Sequence, residues 1–314
     1  MKTILTRSAT EAAAFIRRRG IVAFPTETVY GLGANVFDER AIRKIFDAKL
    51  RPSDNPLIAH VSVEDQIREI AADVPPPAKK LIDAFFPGPL TIVLKKIERV
   101  PHVATAGLET IGIRMPALQI ARHFLSECGV PVVAPSANLS GRPSPTTWQA
   151  VQEDLDGRID CILQGDATEI GLESTVIDCT SETPILLRMG AIPLERLRMV
   201  VPEISFVQTS ELETPRSPGL KHKHYSPRAG VVLVDAGAYC FQTEDDIAFI
   251  GLTKPLVPMK TLKLCRSVEE YAASLFEFFR ECDRANIKTI YCEAVAERGI
   301  GAALVDRIRR AASD

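Results

Sequence analysis

A chain of 314 residues with 46% hydrophobic side chains is long enough for about two domains, each with its own core. Its 38 Lys and Arg against 40 Asp and Glu leave a net charge of -2, which excludes a global basic field for non-specific nucleic-acid binding, so any anion must be held by a local pocket. There is no run of roughly 18 apolar residues and no apolar segment followed by a small-residue cleavage site at the start, so no spanning helix or secretory signal is expected and the location is read as cytoplasmic.

In chain order, strands are predicted at IVAF, LIAHV, LTIVLKK, GIRMP, PVVAPS, CILQG, STVIDC and PILLRMG, and helices around 9–19, 38–50, 63–72, 77–85, 117–128 and 147–154. Strands that succeed one another without an intervening helix argue for a mixed sheet. Pro75–Pro77 reads as a helix entry and Pro87–Pro89 as a turn. Residues 206–229 are rich in Pro and basic side chains without an apolar period, the composition of a linker. The remaining stretch, 230–314, alternates VVLVDA, DIAFIGL and TLKLC as strands, SVEEYAASLFEFFRECDRA as a helix, IKTIYCEAV as a strand and GIGAALVDRIRRAAS as a helix, the pattern of a small parallel α/β domain. The seven cysteines are odd in number and form no Cys-x-x-Cys pair, so they read as buried apolar residues rather than as a zinc site or a disulfide framework.

Three constellations carry chemistry. In KLRPSDNP, Lys49, Arg51 and Asn55 come at and after the end of the predicted helix over 38–50, with Pro52 as its stop; the two cations suit a polyanion, or else complement the negative end of the helix dipole. In PTETVYGLG, Thr26, Glu27, Thr28 and Tyr30 come after a buried strand, where loops commonly carry ligand groups; Gly31 and Gly33 lack the third glycine of a dinucleotide fingerprint. In APSANLSGRPSP, Ser136, Asn138, Ser140, Gly141 and Ser144 supply short donors and let backbone approach a phosphate or ribose, or else form an ordinary polar turn. No P-loop pattern occurs. Arg114, on an otherwise apolar strand with Thr110 at its start, needs either a carboxylate of the chain or one of a ligand, and Ser174 and Thr175 add hydroxyls in GLESTVID.

In this order, PTETVYGLG, KLRPSDNPLIAH, FFPGPLTIVL, GIRMP, APSANLSG and ESTVID resemble the YrdC family, and SPGLKHKHYSP with the trailing α/β domain resembles its long two-domain form, the threonylcarbamoyl-adenylate synthases. The resemblance covers essentially the whole chain. It implies an α/β fold, a twisted mixed-sheet YrdC-like domain at 1–205 with an open basic cavity, then a linker, then a smaller Rossmann-like domain. It implies condensation of L-threonine, bicarbonate or CO2, and ATP into threonylcarbamoyl-adenylate and pyrophosphate, the adenylate being passed to tRNA-modifying transferase machinery that works on the adenosine next to the anticodon. By the same resemblance Lys49 and Arg51 are catalytic; Arg51, Asn55, Thr110, Ser136, Asn138, Ser144, Arg188 and Tyr225 contact ATP; and Thr28, His60, Arg114, Ala134 and Ser174 contact threonine. Mg2+ is expected to travel with the ATP phosphates, since no dedicated carboxylate cluster is apparent. The linker, with Lys221, His222, Lys223 and His224, is expected to close over the cavity as a lid. A competing reading is an RNA-binding module, with tRNA or double-stranded RNA in the basic cavity; the charge balance argues against it.

Overall fold

The computed structural model describes residues 2–206, 225–237 and 246–312. The first unit opens with β1 (Ile4–Thr6), α1 (Ala9–Arg17), β2 (Val22–Phe24), β3 (Gly31–Asn35), α2 (Glu39–Lys49) and β4 (Ile58–His60). It continues with α3 (Asp65–Arg68), α4 (Pro76–Phe85), β5 (Leu90–Lys95), β6 (Thr110–Arg114), α5 (Gln119–Cys128) and β7 (Val132–Ala134). Its last elements are α6 (Trp148–Leu155), β8 (Cys161–Leu163), β9 (Thr175–Asp178), β10 (Ile185–Arg188), α7 (Leu194–Arg198) and β11 (Ser205–Phe206). The second unit comprises β12 (Gly230–Val234), β13 (Ile247–Gly251), β14 (Thr261–Leu264), α8 (Val268–Arg284), β15 (Thr289–Glu293) and α9 (Ile300–Ala312).

Among the described residues the first unit forms one mixed sheet in the order β1-β8-β2-β3-β7-β4-β6-β5-β9-β10-β11. The α1 and α5 helices cover one face, where Ala12, Ala13 and Ile16 meet Phe124 and Leu125 over Val22, Phe24 and Val132. The larger core, with Ile42, Ile45 and Phe46 of α2 and Leu81 and Ile82 of α4, lies on the other face. Each such fully buried aliphatic or aromatic side chain contributes roughly 1.5–3 kcal/mol through removal from water. The second unit is an all-parallel sheet, β12-β15-β13-β14. Tyr271, Leu275, Phe276 and Phe279 of α8 and Leu304 and Ile308 of α9 pack on it, and Val29, Leu172 and Tyr225 join the same cluster from the first unit's side. No helix among the described residues is long and apolar enough to cross a membrane.

Local chemistry explains the helix that leads to the site. Asp38 caps α2, its carboxylate accepting from the N–H groups of Arg40 and Ala41 at 3.1 Å. The helix stops at Leu50, which takes the left-handed conformation (φ 52) two residues before Pro52, so Lys49 ends the helix and Arg51 lies outside it.

Three differences from the expected elements have physical reasons. Gly31 to Gly33, read as part of a ligand loop, fall in strand β3, where Gly33 lets the neighbouring strand approach: a Cβ there would lie 2.6 Å from Val132 Cγ1. The helix expected over 63–72 shrinks to α3 because the chain leaves it to pair with β5, the Ala72 N–H donating to the Lys95 carbonyl at 2.8 Å. The strands β1 and β11 carry too few residues for a period to register.

Candidate active site

The strand ends on one side of the mixed sheet surround an open cavity of about 590 Å³. The turn after β2 contributes Thr26 and Thr28; Thr26 Oγ1 shapes it, accepting from the N–H of Thr28 (3.2 Å) and Val29 (3.3 Å) while donating to the Val29 carbonyl (2.7 Å). His60 and Arg114 end the adjacent parallel strands β4 and β6 and are register partners. Ala134 ends β7, with Pro135 and Ser136 just beyond it, and Ser174 and Arg188 come from the start of β9 and the end of β10. Arg51, Glu173 and Tyr225 complete the wall.

The five threonine candidates, Thr28, His60, Arg114, Ala134 and Ser174, all line this cavity, as do Arg51, Ser136, Arg188 and Tyr225. Lys49, Asn55, Thr110, Asn138 and Ser144 are placed elsewhere. Lys49 lies behind the wall at 1% exposure, donating through Nζ to the carbonyls of Ser136 (2.6 Å) and Asn138 (2.5 Å). Asn138 accepts from the Ser136 hydroxyl (2.5 Å) and donates to the carbonyls of Leu139 and Arg142, which holds the loop after β7 in shape. Ser144 is buried and donates to Glu173 at 2.6 Å. Thr110 lines a smaller recess of about 260 Å³ with Pro56, Leu57, Thr91 and Val176, joined to the first by the shared wall residue Ile58. Asn55 is buried with both side-chain amide atoms unpartnered, beside Arg51, whose Nε is also unpartnered. Such groups cost about 1–3 kcal/mol each when left unpaired in the interior.

Arg114 is not bare. Its guanidinium donates to Glu27 Oε1 and Thr28 Oγ1, both at 2.7 Å, and to the Gly88 carbonyl at 3.3 Å, while Glu27 Oε2 accepts from the Ala117 N–H. Glu27, read from the sequence only as part of a polar turn, thus fixes the plane of the guanidinium. Tyr30, read in the same turn, faces away: its hydroxyl bonds to the Gly165 carbonyl and N–H, and burial pushes its pKa up to about 12. Residues 207–224, with Lys221, His222, Lys223 and His224 of the expected lid, lie outside the described residues.

The cavity's electrostatics arise from burial. Arg51 falls to about 10, mainly through burial, and burial also lowers Arg188. Lys49 is pulled well down by burial and by repulsion from Arg51. His60 drops to about 3 through burial and the nearby Arg114 charge, so its ring is neutral at physiological pH. Burial alone would raise Glu173, but Arg307, Arg188 and the Ser144 hydroxyl hold its carboxyl below the usual range. Sequence reasoning passed over Glu173 and Arg307, whose Nε donates to Glu173 at 2.8 Å from 134 positions away. The only local signal was the position of Glu173 beside Ser174 in GLESTVID.

The family model for Sua5, YciO and YrdC proteins, described as telomere recombination, matches residues 14–190, and a second, described as threonylcarbamoyl-AMP synthase, C-terminal domain, matches residues 192–313. The chain is 44% identical to the threonylcarbamoyl-AMP synthase of Pyrococcus abyssi and 39% identical to that of Bacillus subtilis, in both cases over 96% of this chain and 92% of the relative. A crystal structure of P. abyssi Sua5 complexed with L-threonine superposes with a TM-score of 0.91 at 40% identity, covering 99% of this chain and 97% of that one.

Proposed function

This chain belongs to the Sua5/YciO/YrdC family in its two-domain form, and we propose that it condenses L-threonine, bicarbonate or CO2, and ATP into L-threonylcarbamoyl-adenylate and pyrophosphate. The adenylate then serves threonylcarbamoyl modification of tRNA, in a cytoplasmic setting where all three substrates are at hand. The observation that carries the reading is convergence: five segments far apart in sequence deliver Thr28, His60, Arg114, Ala134 and Ser174 to one cavity that also holds Arg51, Ser136 and Arg188.

The chemistry joins two anionic groups, the carbamate formed on threonine and the triphosphate of ATP. The threonine amine takes up CO2 as a carbamate; a carbamate oxygen then forms a bond to the ATP α-phosphorus while the bond to the bridging oxygen breaks and pyrophosphate leaves. Bringing such species together is a problem of positioning and charge neutralisation rather than of a nucleophilic side chain. Arg114, with its plane set by Glu27 and Thr28, presents its remaining N–H groups to the threonine carboxylate. The Ser174 hydroxyl, held by Thr91 Oγ1 (2.7 Å) and by Arg188 (3.1 Å), and the neutral His60 ring stand beside it for the substrate hydroxyl or amine. Arg51 and Ser136 face the nucleotide, Asn55 gains a partner for its amide, and Thr110 puts the smaller recess within the reach of the base. Lys49 contributes by holding the carbonyls beneath Ser136.

The residues present do not fit a resident magnesium site. Among the described residues no group of three or more His, Cys, Asp and Glu could hold a metal ion, and the one carboxylate lining the cavity, Glu173, is engaged by Arg307 and Ser144. Magnesium therefore enters this reading only as the counter-ion of ATP. The RNA-binding alternative is not favoured: relatives matched over 96% of this chain are named as synthases. Measuring pyrophosphate release from ATP with and without threonine and bicarbonate tests the proposal. Release should require both, and release indifferent to threonine would contradict it.

A further inference from the structure

Two arginines of the second unit are buried against the first, Arg280 at 4% exposure and Arg307 at 0%. Neither guanidinium would be tolerated there without a carboxylate; each has one supplied from across the interface, and Arg307 is also paired with Asp306 of its own helix. Arg280, on α8, donates through Nη2 to Asp154 Oδ2 (2.8 Å) and to the Pro143 carbonyl (2.6 Å). Arg307, on α9, donates to Glu173 Oε2 (2.8 Å) and to the Met189 carbonyl (3.0 Å), and its guanidinium lies 5.3 Å from the Tyr225 ring centroid.

Asp154 lies on α6 and Glu173 just before β9, and both carboxylates also bond to the irregular loop between β7 and α6. Asp154 passes its hold on to the Leu139 N–H (3.2 Å) and to Arg142 (2.7 Å), and Glu173 passes its hold on to the Ser144 hydroxyl (2.6 Å). The first unit anchors the loop at both ends: Ser136 bridges to Gly31, the Ala137 N–H donates to the Tyr30 carbonyl (2.8 Å), the Ser140 N–H donates to the Lys49 carbonyl (2.9 Å), and the Pro145 carbonyl accepts from the Tyr30 N–H (2.9 Å). Lys49 pins its first half from below, and the second unit reaches its second half from outside, at Pro143 directly and at Ser144 through Glu173.

We propose that Arg280 and Arg307 are positioning residues for the nucleotide loop, so that the second unit acts as a two-point clamp that sets ATP affinity rather than as a separate binding module. This rests on the synthase reading, in which Ser136 of this loop faces ATP while threonine is held by Thr28, His60, Arg114, Ala134 and Ser174. A clamp that acts chiefly through this loop weighs on ATP more than on threonine. Simple docking of one unit on the other would move stability alone, or both substrates together.

The test is steady-state pyrophosphate release by the full chain carrying Arg280→Met, Arg307→Met or the charge-conserving Arg280→Lys and Arg307→Lys, with Asp154→Asn and Arg280→Met combined as a double-mutant cycle. Each Met variant should raise the KM for ATP about tenfold with the KM for threonine changed by less than about twofold, since misplacing a positioning loop acts on the substrate it holds. The Lys variants, which keep the charge but lose the two-acceptor fork, should fall between wild type and Met. The Asp154/Arg280 double variant should be no worse than the worse single one, because both remove the same contact. Unchanged KM for ATP in the folded Lys variants, or equal rises for both substrates, would overturn the clamp. No threonine-dependent turnover in the unsubstituted chain would instead contradict the functional reading on which it rests.

Discussion

Lys49 is tolerable at 1% exposure because its ammonium has two carbonyl partners, and those carbonyls belong to the loop that carries Ser136 and Asn138. Removing it leaves both carbonyls unpaired, and removing Arg51 takes a cation from the cavity wall. Arg51→Ala should lower turnover about 10²–10³-fold, read as pyrophosphate release at saturating substrates, by analogy with loss of a preorganised charge-stabilising donor, and Lys49→Ala should lower it about as far by releasing the loop under Ser136. Near wild-type rates in both would reject their roles. His60 gives a pH signature with a definite sign. Its folded pKa of about 3 lies below the ordinary 6.5, so the unfolded chain takes up the proton first. The stability it confers is complete above pH 6.5 and is lost as pH falls toward 3. His60→Gln should therefore flatten the acid limb of the stability curve below pH 6.5, by up to about 1.4 kcal/mol per pH unit in urea unfolding, relative to wild type. An unchanged limb would mean that the ring is not held neutral. In the proposed reading Ser174 and His60 bond the substrate hydroxyl, so serine should compete with threonine better than valine does, because a site built to bond a hydroxyl rejects the analogue lacking it.

Strand β3 shows how packing and site are tied together. Its Gly31 lines the cavity, and at Gly33 a Cβ would meet Val132 Cγ1 at 2.6 Å and the Phe24 ring at 3.0 Å, so β2, β3 and β7 can lie close only because that side chain is absent. Gly33→Ala should destabilise the protein by about 1–3 kcal/mol in chemical denaturation, the usual cost of overpacking a core. A change below a few tenths of a kcal/mol would show that Val132 and Phe24 shift aside easily. The longer elements were legible because their apolar periods span several turns or register steps, as in α8 and β5, and Asp38 and Pro52 bracket α2 by local chemistry alone. β3 was hidden by its glycines, which read as turn residues. Within the site, the hydroxyl turn at 26–28 and the cations at 49 and 51 could be read locally, and Arg114 could be seen to need a partner. That Glu27 would be that partner, 87 positions away, is a product of tertiary structure, as is the Glu173–Arg307 pair.

The two units are joined by chemistry as well as by chain. Val29, Leu172 and Tyr225 enter the core under α8 and α9, and the buried Arg280 and Arg307 reach back to Asp154 and Glu173, so the second unit braces the cavity through its wall residue Glu173. An arrangement in which both units support one cavity suits a reaction that must hold ATP, an amino acid and a labile carbamate together. In the proposed reaction all three substrates meet in a single product. Incubating the protein with ATP, L-threonine and carbon-labelled bicarbonate, and resolving the nucleotides formed, tests this most directly. Label is expected in one new adenylate that contains threonine, formed together with pyrophosphate and absent when any substrate is withheld. Adenylate formation without label from bicarbonate, or label incorporated without threonine, would contradict the synthase reading.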